Sequence, residues 1–118
     1  MSFTRGDVLI ALFPTTDGSK PKPRPVLAIQ SDVYNVKIKN LVVAAITSNL
    51  THTADPASLL IEVSTPDGKK SGLRINSVVS CINLATIDEH LIAKKIGELS
   101  DALMKQVNDC LKAALSIP

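Results

Sequence analysis

Three cations, Lys20, Lys22 and Arg24, alternate with three prolines, Pro21, Pro23 and Pro25, directly before the apolar run 26–29. Proline fixes φ, so this segment is extended at little entropic cost. Alternate side chains of an extended chain point the same way, which lets the three cations share a face. A stiff cationic arm rooted in a buried strand suits an anionic polymer, and phosphate is the obvious group to bind. A second polar cluster, Thr47 and Ser48, closes the apolar run 41–46. On its own, a strand-terminal Thr reads as a cap of the turn that follows.

The elements that must hold these groups are short. Residues 8–13 read as a buried strand stopped by Pro14, and 15–19 as a turn-rich loop leading into the cationic arm. Residues 25–31 form a second strand with proline at its first position, where no interior ladder bond is lost. Residues 32–40 are polar and read as a crossover loop. The run 41–46 is apolar throughout, the pattern of a strand buried on both faces. Residues 59–63, 72–81 (with 83–87 as an extension) and 92–96 read as three further strands, and 65–68 as a tight turn. From residue 100 the period changes. Leu103, Val107, Leu111 and Ala114/Leu115 recur at helical spacing, with Ser100 as N-cap and Asp101 in the first turn. The expected architecture is mostly β with a C-terminal helix closing the core of a small barrel or strongly twisted sheet, as one domain over 1–118.

Composition sets bounds on function. The chain has 118 residues, 45% hydrophobic and 20% charged, with a net charge of +2, an ordinary globular profile. A net charge that small carries no argument for nucleic-acid binding, so the local placement of charge must carry it. No apolar run approaches a membrane helix, and the start of the chain lacks the apolar stretch of a signal peptide, so the expected location is the cytoplasm. Cys81 and Cys110 stand far apart and read as small core residues; with His52 and His90 isolated, no metal site or cofactor is expected. The aromatic residues are Phe3, Phe13 and Tyr34, too few for a base-stacking platform.

These segments, taken together, resemble the MazF/PemK family of toxin–antitoxin ribonucleases. Arg5-Gly6-Asp7-Val8 looks like the family's opening, with Phe13-Pro14 ending the first strand. Gly18-Ser19 and then Arg24-Pro25-Val26-Leu27 look like its loop and second strand. Ala45-Ile46-Thr47-Ser48 resembles the end of its third, and Ser77-Val78-Val79 and Thr86-Ile87-Asp88 resemble later segments. The motifs are short, but they follow in the family's order over nearly the whole chain. The resemblance implies an SH3-like barrel shared with the CcdB gyrase poisons, a homodimer, metal-independent cleavage of single-stranded RNA, and a cognate antitoxin whose disordered tail covers the RNA groove.

Metal-free cleavage runs through the ribose 2′-hydroxyl attacking phosphorus, and needs a base, an acid and a stabiliser of phosphorane charge. The resemblance implies that Arg24 and Thr47 are catalytic. A guanidinium binds two phosphate oxygens and stays charged, which suits a stabiliser and not a base. Lys20, Lys22, Ser48 and Arg74, the last expected on the fifth strand, are the RNA-binding candidates. The chain departs from the family in two places. The acidic residue that several members carry shortly before the Arg is replaced in a region holding Lys20. The Arg and Asp of PemK-type members correspond to Ser80 and Ile82, and isoleucine moves no proton. His52, in the loop after the third strand, is the remaining base candidate. Two other functions stay open: a barrel toxin that binds a protein such as DNA gyrase, and a degenerate homologue that only binds antitoxin.

Overall fold

The structure is a computed structural model and describes residues 2–14 and 17–118. Six strands form one antiparallel sheet: β1 (Asp7–Phe13), β2 (Lys22–Ala28), β3 (Asn40–Thr47), β4 (Ser58–Ile61), β5 (Ser77–Asp88) and β6 (Ile92–Glu98), in the order β4-β5-β3-β2-β1-β6. Among the described residues three α-helices accompany them, α1 (Asp32–Asn35), α2 (Pro66–Lys70) and the C-terminal α3 (Asp101–Leu115), and a 3-10 turn, Glu89–Leu91, links β5 to β6.

The apolar runs are continuous because the sheet is buried on both sides. Val8, Leu27, Ala44, Ile46, Val79 and Cys81 enter one core, which also receives Met104, Val107 and Cys110 of α3. Leu9, Ala11, Val26, Ala28, Leu41 and Val43 enter a second core. Neighbours in sequence thus serve opposite faces, as the two-residue period of a strand requires. Each of the larger buried aliphatic side chains contributes about 1.5–3 kcal/mol relative to exposure. Cys81 and Cys110 are free and buried among these residues; burial and the neighbouring Cys110 push the Cys81 thiol up to about 12.

Several boundaries differ from the sequence expectation. The second strand begins at Lys22, so the cationic arm is itself part of β2 and pairs with β1 from Phe13↔Lys22 onward. The polar stretch 32–40 contains α1, started by the Ser31 hydroxyl accepting from Val33 N. The turn at 65–68 opens α2, because Thr65 Oγ1 accepts from Gly68 N and Pro66 sits at the first helical position. The fifth strand starts at Ser77 and runs to Asp88 through a bulge, so Arg74 lies in the loop before it. The buried stripe of α3 is Met104, Val107 and Cys110, flanked by Leu103, Leu111 and Ala114, while Leu115 is exposed. The turn expected over 15–19 is described from Asp17 onward; Thr15 and Thr16 lie outside the described residues.

Two connections hold the sheet in shape. Arg5 donates from Nε to the Ile29 carbonyl and from Nη2 to Asn108 Oδ1, and its amide donates to Asp32 Oδ1. One residue thereby joins the end of β2, α1 and α3. At the far side, the segment that follows β4 crosses to β6, the opposite edge of the sheet. Gly72, at φ +74°, lies where a Cβ would overlap the Ile96 carbonyl, and a Cβ on Gly97 would overlap the backbone of Lys70 and Ser71. Only backbone against backbone fits there.

Gly72→Ala places a Cβ in that contact and forces a left-handed φ on alanine, at about 1–3 kcal/mol for the backbone alone. The unfolding free energy from urea titration is expected to fall by at least that much; an unchanged value would show that the contact is dispensable.

Candidate functional site

The site is opened by a break in hydrogen bonding. Ile29 N donates to Val42 O on β3, and the amides of alternate residues point the same way. Leu27, Pro25 and Pro23 therefore turn their amide positions toward β3. Two of those three residues have no N–H. Pairing of β2 with β3 runs from Ala28↔Val43 to Val26↔Ala45 and goes no further, while pairing of β2 with β1 continues to Lys22. Two steps beyond the last pair, the same register sets Arg24 opposite Thr47. The two residues singled out by the sequence thus stand across the opening where the ladder stops.

A groove of about 720 Å³ occupies this place. Its polar lining consists of Lys22, Arg24, Arg74 and Lys94 with Thr47, Ser48 and Ser77; its apolar lining includes Ile10, Pro23, Pro25, Ile46, Leu73, Ile75 and Ile96. Among the described residues no carboxylate or imidazole lines it, and no group of His, Cys, Asp or Glu side chains could hold a metal ion. The structure therefore brings together Arg24, Thr47, Lys22, Ser48 and Arg74. It does not bring in Lys20, which is exposed before β2, or His52, which is exposed in the loop after β3. Ile82, at the place of the PemK-type acid, is 66% exposed and also lies outside the groove lining.

Thr47 Oγ1 accepts from Asn49 N at 3.1 Å, so the hydroxyl does cap the turn after β3. That bond uses an oxygen lone pair and leaves the hydroxyl proton to donate. Capping and ligand binding are compatible here, because the first orients the group for the second. The 72–76 loop that carries Arg74 and the exposed Ile75 is steadied by Ser77 Oγ, which donates to the Ile75 carbonyl.

Two charged residues escaped the sequence reading. Lys94 on β6 lines the groove; its strand was legible, but a lone lysine in a lysine pair carries no pattern. Asp17 accepts from Ser19 N at 2.9 Å and Ser19 Oγ at 2.6 Å. These bonds, chiefly the one from the Ser19 hydroxyl, hold its carboxyl below the usual range, and the Arg24 guanidinium adds a smaller pull. An acidic side chain thus lies within electrostatic reach of Arg24, seven residues before it. By sequence alone Asp17 reads as a turn residue.

A family model described as PemK-like, MazF-like toxin of type II toxin-antitoxin system matches residues 4–115. The chain belongs to this family. Endoribonuclease EndoA of Bacillus subtilis (strain 168) is 33% identical over 118 residues, covering 99% of this chain and 97% of that protein. The Mycobacterium tuberculosis toxin MazF-mt6 superposes with a TM-score of 0.76 at 26% identity, covering 95% of this chain and 98% of that one. An endoribonuclease from Mycobacterial species, solved in complex with its cognate antitoxin, superposes with a TM-score of 0.75 at 20% identity over 98% of this chain and 97% of that one; this likeness is one of fold. The MazF-like toxins share the six-stranded sheet and C-terminal helix described above, so the expected fold class holds.

For a member of this family, Thr47→Val removes the hydroxyl and keeps the shape. RNA cleavage under single-turnover conditions is expected to fall about 10- to 100-fold, the worth of a hydrogen bond to a charged group at about 1.5–3 kcal/mol. Thr47→Ser, which keeps both the cap and the donor, should stay near wild type. Equal rates in the valine variant would leave Thr47 a turn cap alone.

Proposed function

We propose that the chain is the toxin of a type II toxin–antitoxin pair and works in the cytoplasm as a metal-independent, sequence-selective endoribonuclease on single-stranded RNA. The observation that carries this reading is the juxtaposition of Arg24 and Thr47 across the end of the β2–β3 ladder, in a groove whose charged lining is entirely cationic. Arg24 clamps the scissile phosphate and stabilises charge on the phosphorane. Thr47 donates to a phosphate oxygen. Lys22, Arg74 and Ser48 bind the flanking backbone, and Lys20 reaches the strand outside the groove. The reactive 2′-hydroxyl belongs to the substrate, so the protein's chief task is positioning and charge stabilisation. No helix among the described residues is long and apolar enough to cross a membrane.

The same groove suits an acidic, disordered antitoxin segment, which would exclude RNA by occupying its phosphate contacts. A relative in fold has been solved with its cognate antitoxin. The reading also includes a homodimer. Val33, Tyr34, Val36 and Ile38, on and just after α1, are 56%, 55%, 85% and 48% exposed, a cluster of apolar surface that a second copy would cover. Val36→Asp is expected to shift the sedimentation coefficient toward a monomer. An unchanged coefficient would place the interface elsewhere.

The central test is cleavage of a long, weakly structured RNA in EDTA by the wild type and Arg24→Ala. Discrete cuts with 5′-hydroxyl ends are expected from the wild type. Loss of the guanidinium should slow them on the order of 10²–10³-fold, the usual worth of one preorganised charge-stabilising donor. Arg24 is exposed, so the fold should survive. No cutting by a folded wild-type dimer would favour the protein-binding readings, with gyrase inhibition as the assay to follow.

A further inference from the structure

Cleavage by 2′-hydroxyl attack leaves a 5′-hydroxyl, so the departing oxygen must gain a proton. The side chains available for this in the groove are hydroxyls, one kind of guanidinium and two lysines. Of these types, the ammonium gives up a proton most readily. Asp17 lies outside the groove lining and is held ionised, so it has no proton to give.

The two lysines are placed differently. Lys22 shares its strand with Arg24, two residues away. Lys94 comes from the other wall: it pairs with Ile10 of β1, and Ile10 pairs with Pro25, the neighbour of Arg24. Two strand spacings, about 10 Å, separate the Lys94 and Pro25 backbones. Lys94 from β6 and Arg24 from β2 both line the groove. The register of β6 slips next to Lys94, since Ile10 pairs with Lys94 but Ala11 pairs with Ile92. Such a bulge re-aims the side chain beside it. The adjacent Lys95 is bound to Asp7 at 3.1 Å and to Glu98 at 3.5 Å. Lys94 has no ion pair among the described residues and lines the groove.

We propose that Lys94 is a catalytic residue that donates the proton to the leaving 5′-oxygen; this rests on the ribonuclease reading above. The 2′-oxygen forms its bond to phosphorus and its proton passes to water. The bond from phosphorus to the 5′-oxygen breaks with its electron pair on that oxygen, which takes a proton from Lys94 Nζ. The products are a 2′,3′-cyclic phosphate and a 5′-hydroxyl, and the neutral amine regains its proton from water before the next turnover. Arg24 holds the phosphate between the attacking and departing oxygens.

The test uses two RNAs of one sequence, one with the natural 5′-oxygen and one with sulfur bridging at that position, which departs as a thiolate without a proton. Wild type, Lys94→Arg and Lys94→Met are compared under single-turnover conditions. Both variants should cut the oxygen substrate about 10²–10⁴-fold more slowly, the range for general acid catalysis, and cut the sulfur substrate nearly as fast as wild type. An equal loss on both substrates, or recovery of the oxygen substrate by Lys94→Arg, would reduce Lys94 to a phosphate contact and overturn the proposal. Failure of the wild type to cut either RNA would overturn the ribonuclease reading itself, and the proposal with it.

Discussion

A proline has no amide hydrogen, and in this protein the groove depends on that absence. Pro25 and Pro23 turn toward β3 the positions from which donors would extend the ladder. Without those donors β2 stays attached to β1 and parts from β3, and the gap becomes the groove. The same prolines keep the segment extended, so Lys22 and Arg24 are delivered to the opening on a stiff strand instead of a wandering loop. A cationic segment between two fully paired strands would have had its side chains spread over a continuous sheet. Here the end of pairing creates both the concavity and the charge that fills it.

The groove needs a second wall, which comes from the far edge of the sheet. Strands β4 and β6 lie at opposite ends of the order, yet the segment after β4 meets β6 through Gly72 and Gly97 with no space for side chains. That contact places Leu73, Arg74 and Ile75 over the groove. It also covers β6 at Ile96 and Gly97, shortening the open edge available for pairing with other chains. The two cores on the two faces of the sheet supply most of the stability. The site sits at their rim, where polar groups keep access to water and substrate.

The groove's electrostatics follow from what is missing. Lys22, Arg24, Arg74 and Lys94 line it without a carboxylate among them, so their charges repel one another in the free protein and are relieved by a polyanion. A net charge of +2 for the chain hides this concentration, because acids such as Glu62, Asp101 and Asp109 lie elsewhere. The neighbouring lysines 94 and 95 illustrate the division. One neutralises the buried Asp7 and helps fix the first strand; the other faces the groove and is left for a ligand.

The linear order of residues was enough to reveal the strands, the C-terminal helix with its Ser100 cap, the cationic arm and the family motifs, because each rests on local periodicity or on residues close in sequence. Arg24 and Thr47 were legible as separate motifs. Short helices were not: Thr65-Pro66-Asp67-Gly68 and the start of α1 carry turn chemistry that one helical turn uses equally well, and at α2 the close approach of Gly68 to the Glu62 backbone accompanies the helical choice. Nor could sequence place Lys94 in the same groove as Arg24, 70 positions away, or leave Lys20 and His52 outside it. Those assignments depend on strand order, on the bulge in β6 and on the contact that joins the two edges of the sheet. They are long-range facts, since a residue's neighbours across a sheet are set by register and twist and not by its neighbours in the chain.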